Sequence, residues 1–283
     1  MLRSARAGDG DVDCRIAVVT LDRPSQRNAL TSAFFRECRD LFESFNGSDV
    51  RAVVIRSSGS DFCAGIDLEL LVDMARRSDA LSSGPGTSVA QVALGISKEL
   101  ESMQAAFDAI ERCDAVVVAA VQGACLGSGL ELVLAADITV CEAETATFGL
   151  IEPRLGLCAD LGGIQRLGRK CSASSELAEL MYTARIFDAE TAARLGIVSR
   201  VSNHDAFAQA IEIARQVARH DALGVLGTKQ NLRLVRDGHS MQHALLLQRL
   251  WSSSALQSPA ILERGQQMLQ AKRETTPNRA SKL

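Results

Sequence analysis

Apolar positions along this chain follow two rhythms. Residues 15–21 (RIAVVTL), 52–56 (AVVIR), 115–121 (AVVVAAV) and 138–141 are short, mostly β-branched runs bounded by turn residues, the pattern of strands. Residues 28–46 instead place Leu30, Phe34, Phe35, Cys38, Leu41, Phe42 and Phe45 at helical spacing, with Thr31 or Ser32 as the N-cap. Helical patterns also cover 68–77, which is amphipathic, 89–112 and 129–136 (GLELVLAA), while 57–60 reads as a turn. Residues 78–88 (SDALSSGPGTS) form the one stretch composed for flexibility. The order strand, strand, helix occurs twice, which predicts an α/β core. Beyond Ser172 strand patterns almost vanish, and helices are predicted over 174–184, 189–195, 205–219, 222–237, 241–251 and 259–272. The predicted division is therefore a mixed core over 1–204 and a helical region over 205–283.

Composition changes this picture little. The 283 residues are 47% hydrophobic and 23% charged, enough for a large buried core. Aromatics are only 4%, so Ala, Leu, Val and Ile must build that core. A net charge of −3 offers no global attraction to nucleic acid or to an anionic membrane. No apolar run reaches the roughly 18 residues that span a bilayer, and the amino terminus lacks a secretory apolar segment. The cysteines (Cys14, Cys38, Cys63, Cys113, Cys125, Cys141, Cys158 and Cys171) form no CxxC pair and sit mostly in apolar runs, as reduced, buried thiols do. His239 and His243 share a helix face but lack a third ligand, so no metal site is expected. No phosphate-binding loop or serine nucleophile motif is present.

Candidate chemistry concentrates in residues 123–163, GACLGSGLELVLAADITVCEAETATFGLIEPRLGLCADLGG. Glu131, Glu152 and Asp160 stand there among apolar and glycine positions, a setting that perturbs carboxyl groups and suits acid/base work. Each has a simpler reading: Glu131 as a buried carboxylate paired with an arginine, Glu152 as a turn residue before Pro153, Asp160 as an N-cap for a helix from Leu161. Asp67 and Asp137 read as capping or pairing residues. Two glycine turns that lead into helices, at 62–68 (FCAGIDL) and 127–129, expose backbone N–H groups that an oxyanion can use, or are merely turns.

Taken together, FCAGIDL and GACLGSGLELVLAADI resemble the two oxyanion segments of the crotonase family, the enoyl-CoA hydratases and isomerases. The likeness runs from RPSQRNALT at 23–31 through FGLIEPRLGLCADLGGIQRL to the helical end. It implies a ββα spiral core with a C-terminal helical region that builds homotrimers, which pair into hexamers. It also implies an acyl-CoA thioester substrate and no separate cofactor, coenzyme A being part of the substrate. The amides of Ile66 and Ser128 would hold the thioester oxygen, and Ala64, Gly65, Ile66, Asp67 and Leu68 would lie along coenzyme A. The family usually has Gly where Ser128 stands, so the backbone there must tolerate a side chain.

Within the family, hydratases use glutamates at the positions of Glu131 and Glu152 to activate water, with a small uncharged residue where Asp160 stands. Dienoyl-CoA isomerases instead pair an acid at Asp160 with that at Glu152, and RPSQRNAL, AGIDL, IERC and ADLGG resemble them. They commonly have Asp where Glu131 stands, which keeps a 2-enoyl-CoA hydratase open as the alternative. The resemblance thus implies isomerisation of 3,5-dienoyl-CoA to 2,4-dienoyl-CoA in fatty-acid β-oxidation. Glu152 would be base at C2, Asp160 acid at C6, and Glu131 a neighbour raising the Glu152 pKa. A non-catalytic, RNA-binding or scaffolding homologue would want a basic helix, and residues 264–273 mix Arg and Lys with Glu and Gln. The terminal Ser281-Lys282-Leu283 is a tripeptide read by the peroxisomal import receptor, so a peroxisome, or a related organelle such as a glycosome, is the expected compartment.

Overall fold

The computed structural model describes residues 2–6, 14–82, 88–171 and 175–275. In chain order its first half runs β1 (Leu2–Arg6), β2 (Ile16–Leu21), α1 (Ser32–Ser44), β3 (Ala52–Ser57), α2 (Leu68–Ser82), α3 (Val89–Arg112), β4 (Val116–Val121), β5 (Ala124–Leu126) and α4 (Ser128–Ala135). There follow β6 (Ile138–Glu142), β7 (Thr147–Gly149), α5 (Gly163–Lys170), α6 (Ser175–Thr183), β8 (Phe187–Asp188), α7 (Ala189–Arg194), β9 (Arg200–Ser202) and α8 (Ala206–Arg219). The last elements are α9 (Ala222–Arg236), α10 (Met241–Ala255) and α11 (Pro259–Thr275).

Six strands form one sheet in the order β1-β2-β3-β4-β6-β9, parallel except for the β1–β2 pair. Its register aligns Ile16 with Ala52 and Ala52 with Val116. Strand β4 is buried at every position, which explains its unbroken apolar sequence: helices cover both faces of a parallel sheet. A second sheet, β5-β7-β8, is tied to the first half by a bridge between Cys63 and Cys125. Helix α1 buries Phe34, Phe35, Cys38 and Phe42 and packs on α3. The mixed α/β architecture predicted from the apolar rhythm is the one observed.

Helix α1 begins at Ser32 with Thr31, one of the two N-caps expected, accepting from the Phe34 N–H. Asn28 is left-handed (φ 56°), and its amide donates to Ser58 O and Asp61 O. Helix α2 continues to Ser82, into the stretch expected to be flexible; residues 83–87 lie outside the described residues. Strands β1, β5, β7, β8 and β9 were not legible as strands. They have two to five residues and draw their stability from partners remote in sequence.

The chain divides into two compact units, 1–220 and 221–283, one helix later than the boundary expected at 205. The reason is α8, which buries Ala206, Ala210, Ile211, Ala214 and Ala218 and packs on β3, β4 and β6. In the second unit, α10 packs on α9, with Trp251 against Gly227 so closely that no Cβ fits there. Asp221 caps α9 at the Leu223 N–H and pairs with Arg264. Cys38, Cys63, Cys113, Cys125, Cys141 and Cys171 are buried thiols, whereas Cys14 and Cys158 are exposed. No described helix is long and apolar enough to cross a membrane. The tripeptide at 281–283 lies outside the described residues.

Candidate active site

Two backbone segments meet at one cavity. The strand-like segment at 63–66 is held by the Cys63 N–H to Ala124 O (2.9 Å), the Ala64 N–H to Arg27 O (2.9 Å) and the Leu30 N–H to Gly65 O (2.9 Å). Beside it α4 starts at Ser128 behind Gly127, whose N–H donates to Gly149 O at 2.8 Å. A Cβ on Gly127 (φ +51°) would stand 3.0 Å from Glu152 Oε1, so glycine admits the carboxylate. Among the described residues, neither the Ile66 nor the Ser128 N–H donates to a protein acceptor, and both residues line the cavity. Ser128 is buried in the first turn of α4 without a positive φ, so its backbone accommodates the side chain.

Ala64, Gly65, Ile66, Leu68 and Ser128 all line this cavity. Asp67 is engaged elsewhere: one carboxylate oxygen accepts from Arg23 Nη1 and the other from the Glu69 N–H, each at 3.0 Å. The cavity is also lined by Leu71 and Met74 of α2, Leu100 and Met103 of α3, and Leu155, Leu157 and Leu161. None of these was singled out from the sequence. Their apolar spacing reads equally as core, and only the packing of α2 on α3 opens a space between them.

Glu152 and Asp160 both line the cavity; Glu131 does not. Glu152 opens a tight 3-10 turn, Glu152–Leu155, that ends at left-handed Gly156, and its Oε2 is buried without a hydrogen bond. Burial pushes its carboxyl above the ordinary carboxylate range, and the charge of Asp160 adds to this. Burial likewise raises Asp160. Asp160 is not the cap of α5: that helix starts at Gly163 behind Gly162 and has no side-chain cap at that residue.

Glu131, 1% exposed on α4, points at the start of α5. Its Oε1 accepts from the Leu161 N–H at 3.0 Å and the Gly163 N–H at 2.9 Å, while Oε2 is buried without a partner. Burial raises its pKa to about 8, and the charges of Glu152 and Asp160 push the same way against the two amides. It has no arginine partner among these contacts; the nearby guanidinium, Arg166, pairs instead with Asp108 (2.6 Å) and Glu111 (2.9 Å) on α3. Asp137 accepts from the Val117 N–H at 2.8 Å, the pairing role expected of it.

This fold and this pairing of amide donors with carboxyl groups define a class. The family described as Enoyl-CoA hydratase/isomerase matches residues 12–273, and the chain belongs to it as a crotonase-family enzyme. The chain is 37% identical over 257 residues to the mitochondrial Delta(3,5)-Delta(2,4)-dienoyl-CoA isomerase of Rattus norvegicus, covering 90% of this chain and 76% of that one. It is 34% identical over 256 residues to the peroxisomal Delta(3,5)-Delta(2,4)-dienoyl-CoA isomerase of Arabidopsis thaliana, covering 89% of each. Among solved structures, a putative enoyl-CoA hydratase from Thermobifida fusca YX in complex with CoA is similar at a TM-score of 0.74 and 29% identity, over 90% of this chain and 93% of that one.

Proposed function

We propose that this enzyme converts 3,5-dienoyl-CoA to 2,4-dienoyl-CoA in the oxidation of unsaturated fatty acids. The observation that carries the reading is the cavity's pair of acids. Glu152 and Asp160 line it together with Ile66 and Ser128, while Glu131 is turned away onto the amides of Leu161 and Gly163. With the thioester oxygen on the Ile66 and Ser128 amides, Glu152 takes a proton from C2 and the negative charge spreads from that oxygen along the conjugated chain. Asp160 returns a proton at C6, leaving double bonds at C2 and C4. Two acids are needed because C2 and C6 lie too far apart for one to serve both easily. Burial raises the pKa of both acids, which makes each a stronger base than an exposed carboxylate. The reaction needs no cofactor beyond the coenzyme A of the substrate, which Ala64, Gly65 and Leu68 would flank.

A 2-enoyl-CoA hydratase is the second reading, favoured by Glu131 being a glutamate that feels the charges of Glu152 and Asp160. One experiment separates them: both substrates are assayed with wild type and Asp160→Asn. Isomerisation predicts a loss of about 10²–10⁴-fold in diene absorbance change for Asp160→Asn. Water addition that survives Asp160→Asn but is abolished by Glu131→Gln would instead establish the hydratase. A peroxisome is the compartment proposed, on the tripeptide Ser281-Lys282-Leu283 and the peroxisomal plant relative, against a rat relative named as mitochondrial. Imaging the chain with and without that tripeptide tests it.

A further inference from the structure

The turn that carries Asp160 is gripped by groups from α3, α4 and α5. Glu131 on α4 holds the Leu161 and Gly163 amides. Arg166, buried on α5, donates to Leu161 O at 2.9 Å and is itself fixed by Asp108 and Glu111 of α3. The remaining contact reaches the acid's own peptide: Gln104 Nε2 on α3 donates to Asp160 O at 2.6 Å. Among the described residues, this is the only hydrogen bond to another residue made by the backbone of residues 158–160. Gln104, Asp108 and Glu111 stand at i, i+4 and i+7, one face of α3. Leu100 and Met103, just before them, form part of the cavity wall.

We propose that Gln104 is a positioning residue for Asp160, holding its peptide so that the carboxyl group faces the reacting chain. The proposal rests on the reading of Asp160 as the proton-transferring acid. Leu161 onward is secured by Glu131 and Arg166, and the Leu157 N–H is secured on Glu152 O at 3.2 Å. Between them the Asp160–Leu161 peptide is held at both ends, its N–H by Glu131 and its C=O by Gln104, and the second anchor comes from the helix that also walls the substrate cavity. Proton transfer depends steeply on placement, so a peptide that loses one of its two anchors costs rate more than it costs binding. Gln104 is solvent-exposed, so replacing it leaves the core packing untouched.

The test uses the full chain with a 3,5-dienoyl-CoA substrate. Gln104→Met keeps the shape of the side chain and removes the donor; Gln104→Lys restores a donor. Gln104→Met is expected to lower kcat about tenfold with KM within twofold and an unchanged melting temperature. Gln104→Lys is expected to recover most of the rate. In an Asp160→Asn background Gln104→Met is expected to cost nothing further, because its effect passes through the missing acid. A wild-type kcat for Gln104→Met would overturn the proposal. So would an equal loss in the Asp160→Asn background, or a loss that tracks a lowered melting temperature and is not recovered by Gln104→Lys. If Asp160→Asn itself isomerises at the wild-type rate, the functional reading fails. If Asp160→Asn is inactive and Gln104→Met is not impaired, only the role of Gln104 fails.

Discussion

At the scale of single residues, Glu131 shows how surroundings decide what a carboxyl group does. Its sequence context matches the hydratase glutamate, yet in the fold it closes the start of α5 through two amides and does not line the cavity. Burial lifts its pKa from 4.5 to about 8, which ties stability to pH. The folded protein retains a proton that the unfolded chain releases. The stabilisation is therefore complete below pH 4.5, declines as pH rises, and is lost once pH passes about 8. Glu152 and Asp160, raised in the same direction, add to the trend. Melting temperatures measured from pH 5 to 9 should fall with pH, and Glu131→Gln should flatten part of that fall. An identical slope in the variant would mean that Glu131 ionises normally in the fold. The acids themselves were legible, since carboxylates in apolar, glycine-rich sequence stand out. Gln104 and Arg166 were not, because nothing local distinguishes them; Gln104 acquires its role from Asp160, 56 residues away.

At the scale of elements, the approach of α4 to the 63–66 segment sets the distance between the two proposed oxyanion donors. Gly129 is the contact point: a Cβ there would lie 2.7 Å from Cys63 O, well inside normal contact. Gly129→Ala should push the segments apart and lower kcat by roughly 10²–10³-fold, the scale of losing one oxyanion donor. Steady-state kinetics with a melting curve checks this, and a variant with normal kcat would show that the spacing is not critical. Helix α1 offers a control remote from the acids. Thr31→Ala removes its N-cap and should lower stability by about 1 kcal/mol in denaturant unfolding, with kcat unchanged. The long elements, β2, β3, β4, α1 and α3, were readable because each carries its own periodicity. The short strands of the second sheet were not, although β5 and β7 lead directly into the Gly127 turn and the Glu152 turn.

At the scale of the whole molecule, the proposed trimer or hexamer rests on the second unit. There Leu245, Leu250, Leu256, Leu262 and Leu269 are at least half exposed, and Leu246 is 44% exposed. An apolar surface of this kind suits burial against other copies of the chain. Leu246→Glu with Leu250→Glu should therefore lower the mass measured by sedimentation toward that of the 30.3 kDa chain. A wild-type chain that already sediments as a monomer would remove the basis of the proposed assembly. The boundary between units illustrates a limit of composition: α8 looks like the helices after it, but its small residues seat it on the sheet.

By itself the sequence determined the α/β class, the long elements, the two glycine turns and the three acids of interest. Hydrophobic rhythm, helix capping and glycine placement are properties of neighbouring residues, so they can be read without a fold. Tertiary structure decided what Glu131 does. The family resemblance sets Glu152 and Asp160 apart as a pair, but only packing turns Glu131 from the cavity onto the turn beside it. That distinction depends on contacts between α3, α4 and α5, whose residues lie tens of positions apart in sequence.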